Sequence, residues 1–219
     1  MRMQFIVANL KSHLNKDEAN NWLETLLQHK EEIQNFEDKE VIVAPSFTLL
    51  PAFSLALTGT NIKIAAQNLS PFDEGAYTGE VNAKQIKEFA SYVVIGHSER
   101  RANFNETDQQ LSEKVSLAAK YGLESIYCVQ DKKTMVPSGV GIIAYEPVFA
   151  IGSGTPDTPE NAEQVCDSFK NIYDFRFIYG GSVTSDNVNS FTKGKKINGV
   201  LVGGASLNPL EFIKIIKNA

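Results

Sequence analysis

Eight short apolar runs, each followed by a polar or glycine-containing turn, constrain this chain more than any other feature. They are rich in β-branched residues and nearly continuous rather than alternating, which is typical of strands buried on both faces of a parallel sheet. We expect strands at QFIVAN near residue 5 and over 40–45, 62–67, 92–97, 125–129, 141–146, 176–181 and 199–204.

Amphipathic segments with helical spacing lie between most of these runs. Gly122 follows one of them as a C-terminal stop, and Thr158 precedes another as an N-cap with proline at the first helical position. Asn208 and Pro209 repeat that device near the end of the chain. The sequence therefore predicts helices over 17–30, 108–121 and 159–172 and a final helix from residue 209.

Strand and helix alternate about eight times without a linker or a change in composition, so we expect one α/β domain over residues 1–219. An open doubly wound sheet and a closed barrel both fit such a pattern, and eight strands favour the (β/α)8 barrel. The 219 residues are few for that fold, for which about 250 is typical. Pro137 and Gly139 interrupt the segment between about Val129 and Gly141, so the fifth helix should be missing or strongly truncated. Its loss should leave apolar surface near Cys128 that a partner or a neighbouring loop must cover.

Composition excludes several classes of protein. The net charge of −5 argues against a nucleic-acid surface of clustered lysine and arginine. No apolar stretch approaches the roughly 20 residues of a membrane span, and the N-terminal run is too short for a signal peptide. Cys128 and Cys166 have no metal-type spacing. We therefore expect a cytoplasmic protein that binds neither nucleic acid nor membrane and holds no metal.

Candidate functional residues follow the predicted strands, where parallel barrels collect their chemistry. Asn9 and Lys11 end the first strand, and His97 ends the fourth. Each alone has an ordinary explanation as a solvated or turn residue. Glu146 is more informative because a carboxylate ending an apolar strand is costly unless it is partnered or functional. Pro147 also restricts Glu146 to an extended conformation, which directs its carboxylate.

Glycine-rich turns follow the last three predicted strands at IGSG (151–154), GGS (180–182) and GG (203–204). Such pairs most often serve turn geometry, but they also let backbone N–H groups approach a phosphate closely. Phosphate sites in this fold are commonly built from the loops after strands 7 and 8. With Lys11 as the nearby cation, the sequence predicts a small phosphorylated metabolite as ligand.

Six ordered motifs extend the argument over almost the whole chain. They are ANLKSH (8–13), QNLSPFDEGAYTGEV (67–81), IGHSERR (95–101), AYEPVFAIGSG (144–154), YGGSVT (179–184) and LVGGASL (201–207). Together they resemble the triosephosphate isomerase family. The resemblance implies a TIM barrel that interconverts dihydroxyacetone phosphate and D-glyceraldehyde 3-phosphate through an enediolate, in glycolysis and gluconeogenesis. It also implies an intramolecular oxidoreductase that needs no cofactor or metal.

The resemblance assigns catalytic roles to matching positions. Glu146 would move the proton between adjacent carbons, and His97, kept neutral at a helix N-terminus, would hydrogen-bond the developing oxyanion. Lys11 would supply positive charge, Asn9 would orient the oxygen end, and Glu99 would support these groups from behind. The substrate and phosphate positions that the family implies are Asn9, Lys11, Gly152, Ser182, Gly203 and Gly204.

The resemblance also implies a closing lid and a homodimer. The lid would exclude water and keep the enediolate from losing its phosphate. Thr78 would contact the partner's catalytic face. The lid and its latch comprise Pro147, Val148, Phe149, Ala150, Ile151, Gly152, Ser153, Gly154, Tyr179 and Ser182, and the interface comprises Gln67, Tyr77, Thr78, Gly79 and Glu80. Phe149 stands where the family usually has tryptophan, and Pro156 should stiffen the hinge that follows the lid.

Two alternative hypotheses about function are open. A non-catalytic phosphometabolite-binding barrel would have lost its base or electrophile, yet Glu146 and His97 both stand in intact motifs. The other alternative is a different phosphate-binding barrel enzyme, either an isomerase or an aldolase. An aldolase would require a Schiff-base lysine at the end of the sixth strand, where this chain has Glu146.

Overall fold

Eight parallel strands close into a barrel in the order β1 to β8, with β8 pairing back onto β1. The computed structural model describes residues 2–170 and 175–219. All eight predicted runs are confirmed as strands. Their bounds are Gln4–Asn9 (β1), Lys39–Ala44 (β2), Lys63–Ala66 (β3), Tyr92–Ile95 (β4), Glu124–Val129 (β5), Ile142–Tyr145 (β6), Arg176–Tyr179 (β7) and Gly199–Val202 (β8).

Helices surround the barrel. They span Lys16–Gln28 (α1), Lys30–Gln34 (α2), Leu50–Ala56 (α3), Ala83–Lys87 (α4), Ser98–Phe104 (α5), Asp108–Lys120 (α6), Pro159–Ser168 (α7), Val188–Thr192 (α8) and Pro209–Asn218 (α9). Short 3-10 turns lie at Phe47–Leu49, Val148–Ala150 and Gly204–Leu207. The predicted helices agree within a few residues, except that residues 171–172 of the third lie outside the described residues. None of the helices in the described ranges combines the length and apolar character that a membrane crossing requires.

The helix ends follow the signals in the sequence. The Thr158 hydroxyl accepts a hydrogen bond from the Asn161 amide at the start of α7, and Asn208 caps α9 through the amides of its first turn. Gly122 ends α6 with φ of +70°, a conformation that a side chain disfavours. The capping residues therefore fix where these helices begin and stop.

The apolar core has two layers, because successive strand residues point alternately into the barrel and toward the helices. Outward-facing Tyr127, Val129 and Ile143 belong to the layer under the helices. The barrel interior is filled by Phe5, Val7, Ile42, Ala44, Ala65, Tyr92, Val94, Ile126, Cys128, Ile142, Ala144, Ile178 and Leu201. The interior is thus a packed core, and a ligand can enter only at an end of the barrel.

The predicted loss of the fifth helix is confirmed, since residues 130–141 between β5 and β6 contain no helix. This connection itself covers the strands. The Tyr127 hydroxyl donates to the Met135 carbonyl oxygen at 3.1 Å and accepts from Arg101 at 3.2 Å, and Val140 is buried. Cys128 itself faces the barrel interior, and it is its neighbour Tyr127 that faces the outer surface which this connection covers.

Candidate active site

A cavity of about 310 Å³ opens at the carboxyl ends of the strands. It joins the predicted base, imidazole and ammonium to the glycine-rich turns after β6, β7 and β8. Its lining is Asn9, Lys11, His13, His97, Glu146, Ile151, Gly152, Gly154, Gly180, Gly181, Ser182, Val183, Thr184, Leu201, Gly203, Gly204 and Ala205.

Glu146 lies buried at the wall of this cavity, directly after β6. Its amide donates to the Val129 carbonyl oxygen at 2.8 Å, which extends the pairing of β6 with β5 to the base itself. One carboxylate oxygen lies 2.9 Å from Nε2 of His97, and the other accepts from the Ser98 amide at 3.0 Å. Both oxygens are therefore engaged, and the side chain must leave these partners to reach a substrate carbon.

His97 sits at the N-cap of α5, as expected from its place after β4. Its Nδ1 accepts a hydrogen bond from the Glu99 amide at 3.2 Å. In the neutral ring the proton must then be on Nε2, the nitrogen that faces Glu146. The backbone of α5 thus selects the tautomer that can donate a hydrogen bond into the cavity.

The pKa values of this pair are coupled. Burial lowers the pKa of His97, but the Glu146 carboxylate outweighs burial and the net pKa is raised above its ordinary value. Burial raises the pKa of Glu146, but His97 and the Ser98 amide hold its net pKa below the usual range. Moving the carboxylate away from His97 would remove the group that raises the pKa of the ring and leave burial to favour the expected neutral form.

Lys11 lies two residues beyond the end of β1 and has a left-handed φ of 52°. Its amide donates to the Asn9 side-chain oxygen at 3.1 Å, and its ammonium pairs with the Glu99 carboxylate. A side chain at Gly203 would place its Cβ 3.2 Å from Cε of Lys11. Lys11 therefore belongs to a turn rather than to β1, and both Asn9 and Lys11 line the cavity.

The phosphate positions predicted from the sequence lie together at the glycine-rich side. Gly152, Ser182, Gly203 and Gly204 all line the cavity. The Ser206 hydroxyl, on the 3-10 turn after β8, donates to the Gly203 carbonyl oxygen at 2.7 Å and fixes this turn. The backbone N–H groups of the turns after β6, β7 and β8 can therefore be approached closely by an anion.

The predicted lid contacts the loop after β7. The Ser182 hydroxyl donates to the Ala150 carbonyl oxygen at 2.6 Å and accepts from the Gly154 amide at 3.1 Å. The Tyr179 hydroxyl accepts from the Asp157 amide at 2.7 Å. Phe149 is 64% exposed on the outer side of the lid. Both predicted latch residues thus contact the lid or its hinge.

Two groups close to Glu146 were not predicted from the sequence. The Cys128 thiol faces the barrel interior on the strand beside Glu146, and burial, followed by the charge of Glu146, raises the pKa of that thiol well above its usual range. The Ser98 amide is the second. Cys128 could have been found from the alternation along β5, because it is the last inward-facing residue on the strand beside β6.

The predicted interface residues are not among the described residues that line the cavity. The Gln67 side chain donates to the carbonyl oxygens of Lys11 and Ala44 at 2.9 and 2.8 Å, so it braces two loops of its own chain. Tyr77 is 44% exposed and stacks on Phe72 with ring centroids 4.3 Å apart. Residues 76–80 are all exposed. The described ranges contain no cluster of three or more histidine, cysteine or acidic side chains suited to a metal ion.

A closed parallel barrel with a glutamate–histidine pair, a lysine and an open glycine-rich backbone at one end defines an acid–base enzyme for a small anionic substrate. The sequence model described as triosephosphate isomerase matches residues 4–140 and 140–219. The division at residue 140 falls in the shortened connection between β5 and β6.

Curated relatives match over almost their whole length. The triosephosphate isomerase of Mesomycoplasma hyopneumoniae (strain 7448) is 39% identical over 241 aligned residues, with 99% of both chains covered. That of Thermodesulfovibrio yellowstonii is 38% identical, covering 99% of this chain and 100% of its own. That of Aquifex aeolicus is 35% identical, covering 97% and 98%. The chain belongs to the triosephosphate isomerase family.

Proposed function

We propose that this chain interconverts dihydroxyacetone phosphate and D-glyceraldehyde 3-phosphate, with Glu146 as the base. The observation that carries the proposal is the buried contact of Glu146 with Nε2 of His97 at the wall of the cavity that Lys11 also lines. Family membership supports a triose phosphate as the substrate. The contact supports the mechanism, because a proton acceptor, the Glu146 carboxylate, lies beside a hydrogen-bond donor, Nε2 of His97.

The reaction begins when Glu146 leaves the Ser98 amide and His97 and takes a proton from the carbon beside the substrate carbonyl. An enediolate forms, and Glu146 returns the proton to the neighbouring carbon. These roles are the ones established for the family. The earlier partners of Glu146 keep it ionised before substrate arrives, because they lower its pKa.

His97 stabilises the enediolate oxygens through the proton on Nε2. Once the carboxylate has moved, Nε2 has lost its acceptor in the protein and can donate to a substrate oxygen. The Glu99 amide on Nδ1 keeps the ring in this tautomer throughout. The same nitrogen can then move protons between the two oxygens.

Lys11 supplies the positive charge that favours the enediolate over the neutral carbonyl compound. Its ammonium is held by the Glu99 carboxylate, and its backbone is held by Asn9. We assign Asn9 the role of orienting the oxygen end of the substrate. Glu99 would not contact the substrate; its carboxylate would position the Lys11 ammonium.

The phosphate would bind along the amides near Gly152, Ser182, Gly203 and Gly204, with Lys11 as counter-ion. Residues 147–154 would then cover it, and the Ser182 and Tyr179 hydroxyls would fasten the cover. A covered enediolate is protected from water and from loss of phosphate. This assignment requires no cofactor and no metal.

A coupled assay that oxidises or reduces the product tests the proposal. The wild-type chain should turn over both triose phosphates, and Glu146→Gln should lose at least about 10²-fold in kcat because general-base catalysis contributes 10²–10⁴-fold. Glu160→Gln is the matched control, since Glu160 is an exposed carboxylate in the first turn of α7. Full activity in Glu146→Gln would remove Glu146 from this role.

The active unit in this proposal is a homodimer formed through residues 76–80, with Gln67 bracing the loops behind them. An exposed aromatic pair at the base of a projecting loop supports it, because monomers rarely leave such side chains in water together. Thr78 and Gly79 form the tip, and Glu80 and Tyr77 flank it. Thr78 would reach the partner's catalytic face.

Sedimentation of two charge-introducing variants tests the interface. Tyr77→Asp should halve the sedimenting mass, whereas Leu55→Asp on α3, at an 80% exposed position, should leave it unchanged. A Tyr77→Asp variant that stays dimeric would contradict the assignment of this loop.

A further inference from the structure

The hinge after the lid carries a carboxylate with an unusual number of partners. One oxygen of Asp157 accepts from the Tyr145 hydroxyl at 2.9 Å and from the Asn161 side-chain amide at 2.6 Å. The other oxygen accepts from the Thr158 amide at 2.8 Å. Its backbone amide donates to the Tyr179 hydroxyl at 2.7 Å. One residue thus joins the lid hinge to β6, β7 and the start of α7.

The two tyrosines that hold Asp157 are rigidly placed. Tyr145 and Tyr179 are paired across β6 and β7, are both buried, and have ring centroids 6.1 Å apart. Tyr179 also stacks on Phe191 with centroids 4.0 Å apart. Tyr145 directly precedes Glu146 in the chain. The hinge is therefore tied to the strand position that carries the base.

The Tyr145 hydroxyl has no hydrogen-bond partner among the described side chains of the lid, residues 147–154. The hydroxyl instead uses the carboxylate at the opposite hinge. Burial and this carboxylate raise the pKa of Tyr145, so the hydroxyl stays protonated and remains a donor.

We propose that Asp157 is a positioning residue that holds the C-terminal lid hinge against Tyr145 and Tyr179 and so keeps the lid fastened while Glu146 works. The proposal rests on the proposed function of the lid. A hydrogen bond from a neutral donor to a charged acceptor shifts an equilibrium by about tenfold or more, so its loss should lower the closed-to-open equilibrium constant of the lid by about that factor.

Four variants separate this role from helix capping. Asp157→Ala removes all three acceptor contacts, and Tyr145→Phe removes only the link to β6. The double variant tests whether the two act together. Glu160→Ala removes a neighbouring first-turn carboxylate of α7 and serves as control for the electrostatics of the helix end.

The measurements are kcat, KM and the fraction of turnovers that release inorganic phosphate. Phosphate release follows when an uncovered enediolate expels its phosphate by cleavage of the C–O bond and the remaining enol becomes 2-oxopropanal. We expect Asp157→Ala and Tyr145→Phe each to lower kcat by up to about tenfold and to raise the phosphate fraction. The double variant should be no worse than Asp157→Ala, and Glu160→Ala should match the wild type.

Amide hydrogen exchange of residues 147–158 without substrate gives a readout that does not depend on turnover. Exchange should be faster in Asp157→Ala than in Glu160→Ala. Unchanged exchange and phosphate release in Asp157→Ala would overturn the proposal, as would additive effects of the two substitutions. A wild-type chain without isomerase activity would instead refute the proposed function, and the exchange comparison would still decide the role of Asp157.

Discussion

Shortening the base by one methylene group is the sharpest test of the geometry. In Glu146→Asp the carboxylate recedes by up to about 1.5 Å, the length of one C–C bond. Its present contacts of 2.9 Å to His97 and 3.0 Å to the Ser98 amide would then lengthen beyond hydrogen-bonding distance. The backbone cannot follow, because the Glu146 amide is fixed to Val129 at the end of β5.

The expected loss follows from this shortfall. A misplacement of about 1 Å costs on the order of 10²-fold in rate, which corresponds to about 2.7 kcal/mol in the activation free energy. Glu146→Gln keeps the length of the side chain but cannot accept the proton, so its kcat should fall further than that of Glu146→Asp. The order of activity should therefore be wild type, then Glu146→Asp, then Glu146→Gln.

The assay is initial-rate isomerisation in both directions with a coupling dehydrogenase in excess. Circular dichroism and thermal unfolding would verify that each variant folds. KM should change much less than kcat in Glu146→Asp, since the phosphate contacts lie on the glycine-rich loops. A Glu146→Asp enzyme within threefold of the wild type, or a Glu146→Gln enzyme more active than Glu146→Asp, would refute this account of the base.

Three further predictions concern the outer wall, the histidine and the hinge. Tyr127→Phe should lower the free energy of unfolding by about 1–3 kcal/mol, because the Arg101 side chain and the Met135 carbonyl both lose the hydroxyl as a hydrogen-bond partner. Urea denaturation would measure this loss. An unchanged free energy of unfolding would mean that the hydroxyl does not hold the loop. The His97 ring should titrate above its ordinary pKa in the wild type and at a lower pH in Glu146→Gln, because burial remains while the carboxylate that raises the pKa is gone. NMR titration of the ring would show this, and an unchanged midpoint would contradict the coupling. Pro156→Ala should speed lid exchange in relaxation-dispersion experiments because it frees a fixed φ, and unchanged rates would count against stiffening by the proline.

The fold was predictable because each strand carries its own signal. A strand buried on both faces is apolar throughout, so the run at 92–97 could be recognised without knowing its neighbours. Helix ends were predictable where a capping residue marks them, as at Thr158 and Gly122. The missing fifth helix was predictable from Pro137 and Gly139 together with the short chain.

The finer geometry of the site depends on contacts that no local pattern contains. The left-handed turn at Lys11 arises where the strand pairing ends, so period-two alternation could not describe it. The alternation along β5 directs Cys128 inward, but only the pairing of β5 with β6 brings it close to Glu146. The partners of Asp157 come from two strands and a helix separated in sequence, and only the folded chain brings them together.

The shortened connection between β5 and β6 also bears on how the barrel assembles. Two parallel strands can pair only when the segment between them brings their ends together. Each doubling of the length of that segment adds about 0.6 kcal/mol to the entropic cost of closure. Here β6 follows β5 after residues 130–141 alone, whereas β7 begins only at Arg176. Pairing of β5 with β6 therefore has a comparatively low entropic cost. Pulsed hydrogen exchange during refolding should protect the Glu146 amide, which donates to the Val129 carbonyl oxygen of β5, before the amides of β7. The shortened connection would then mark an early folding nucleus of the barrel.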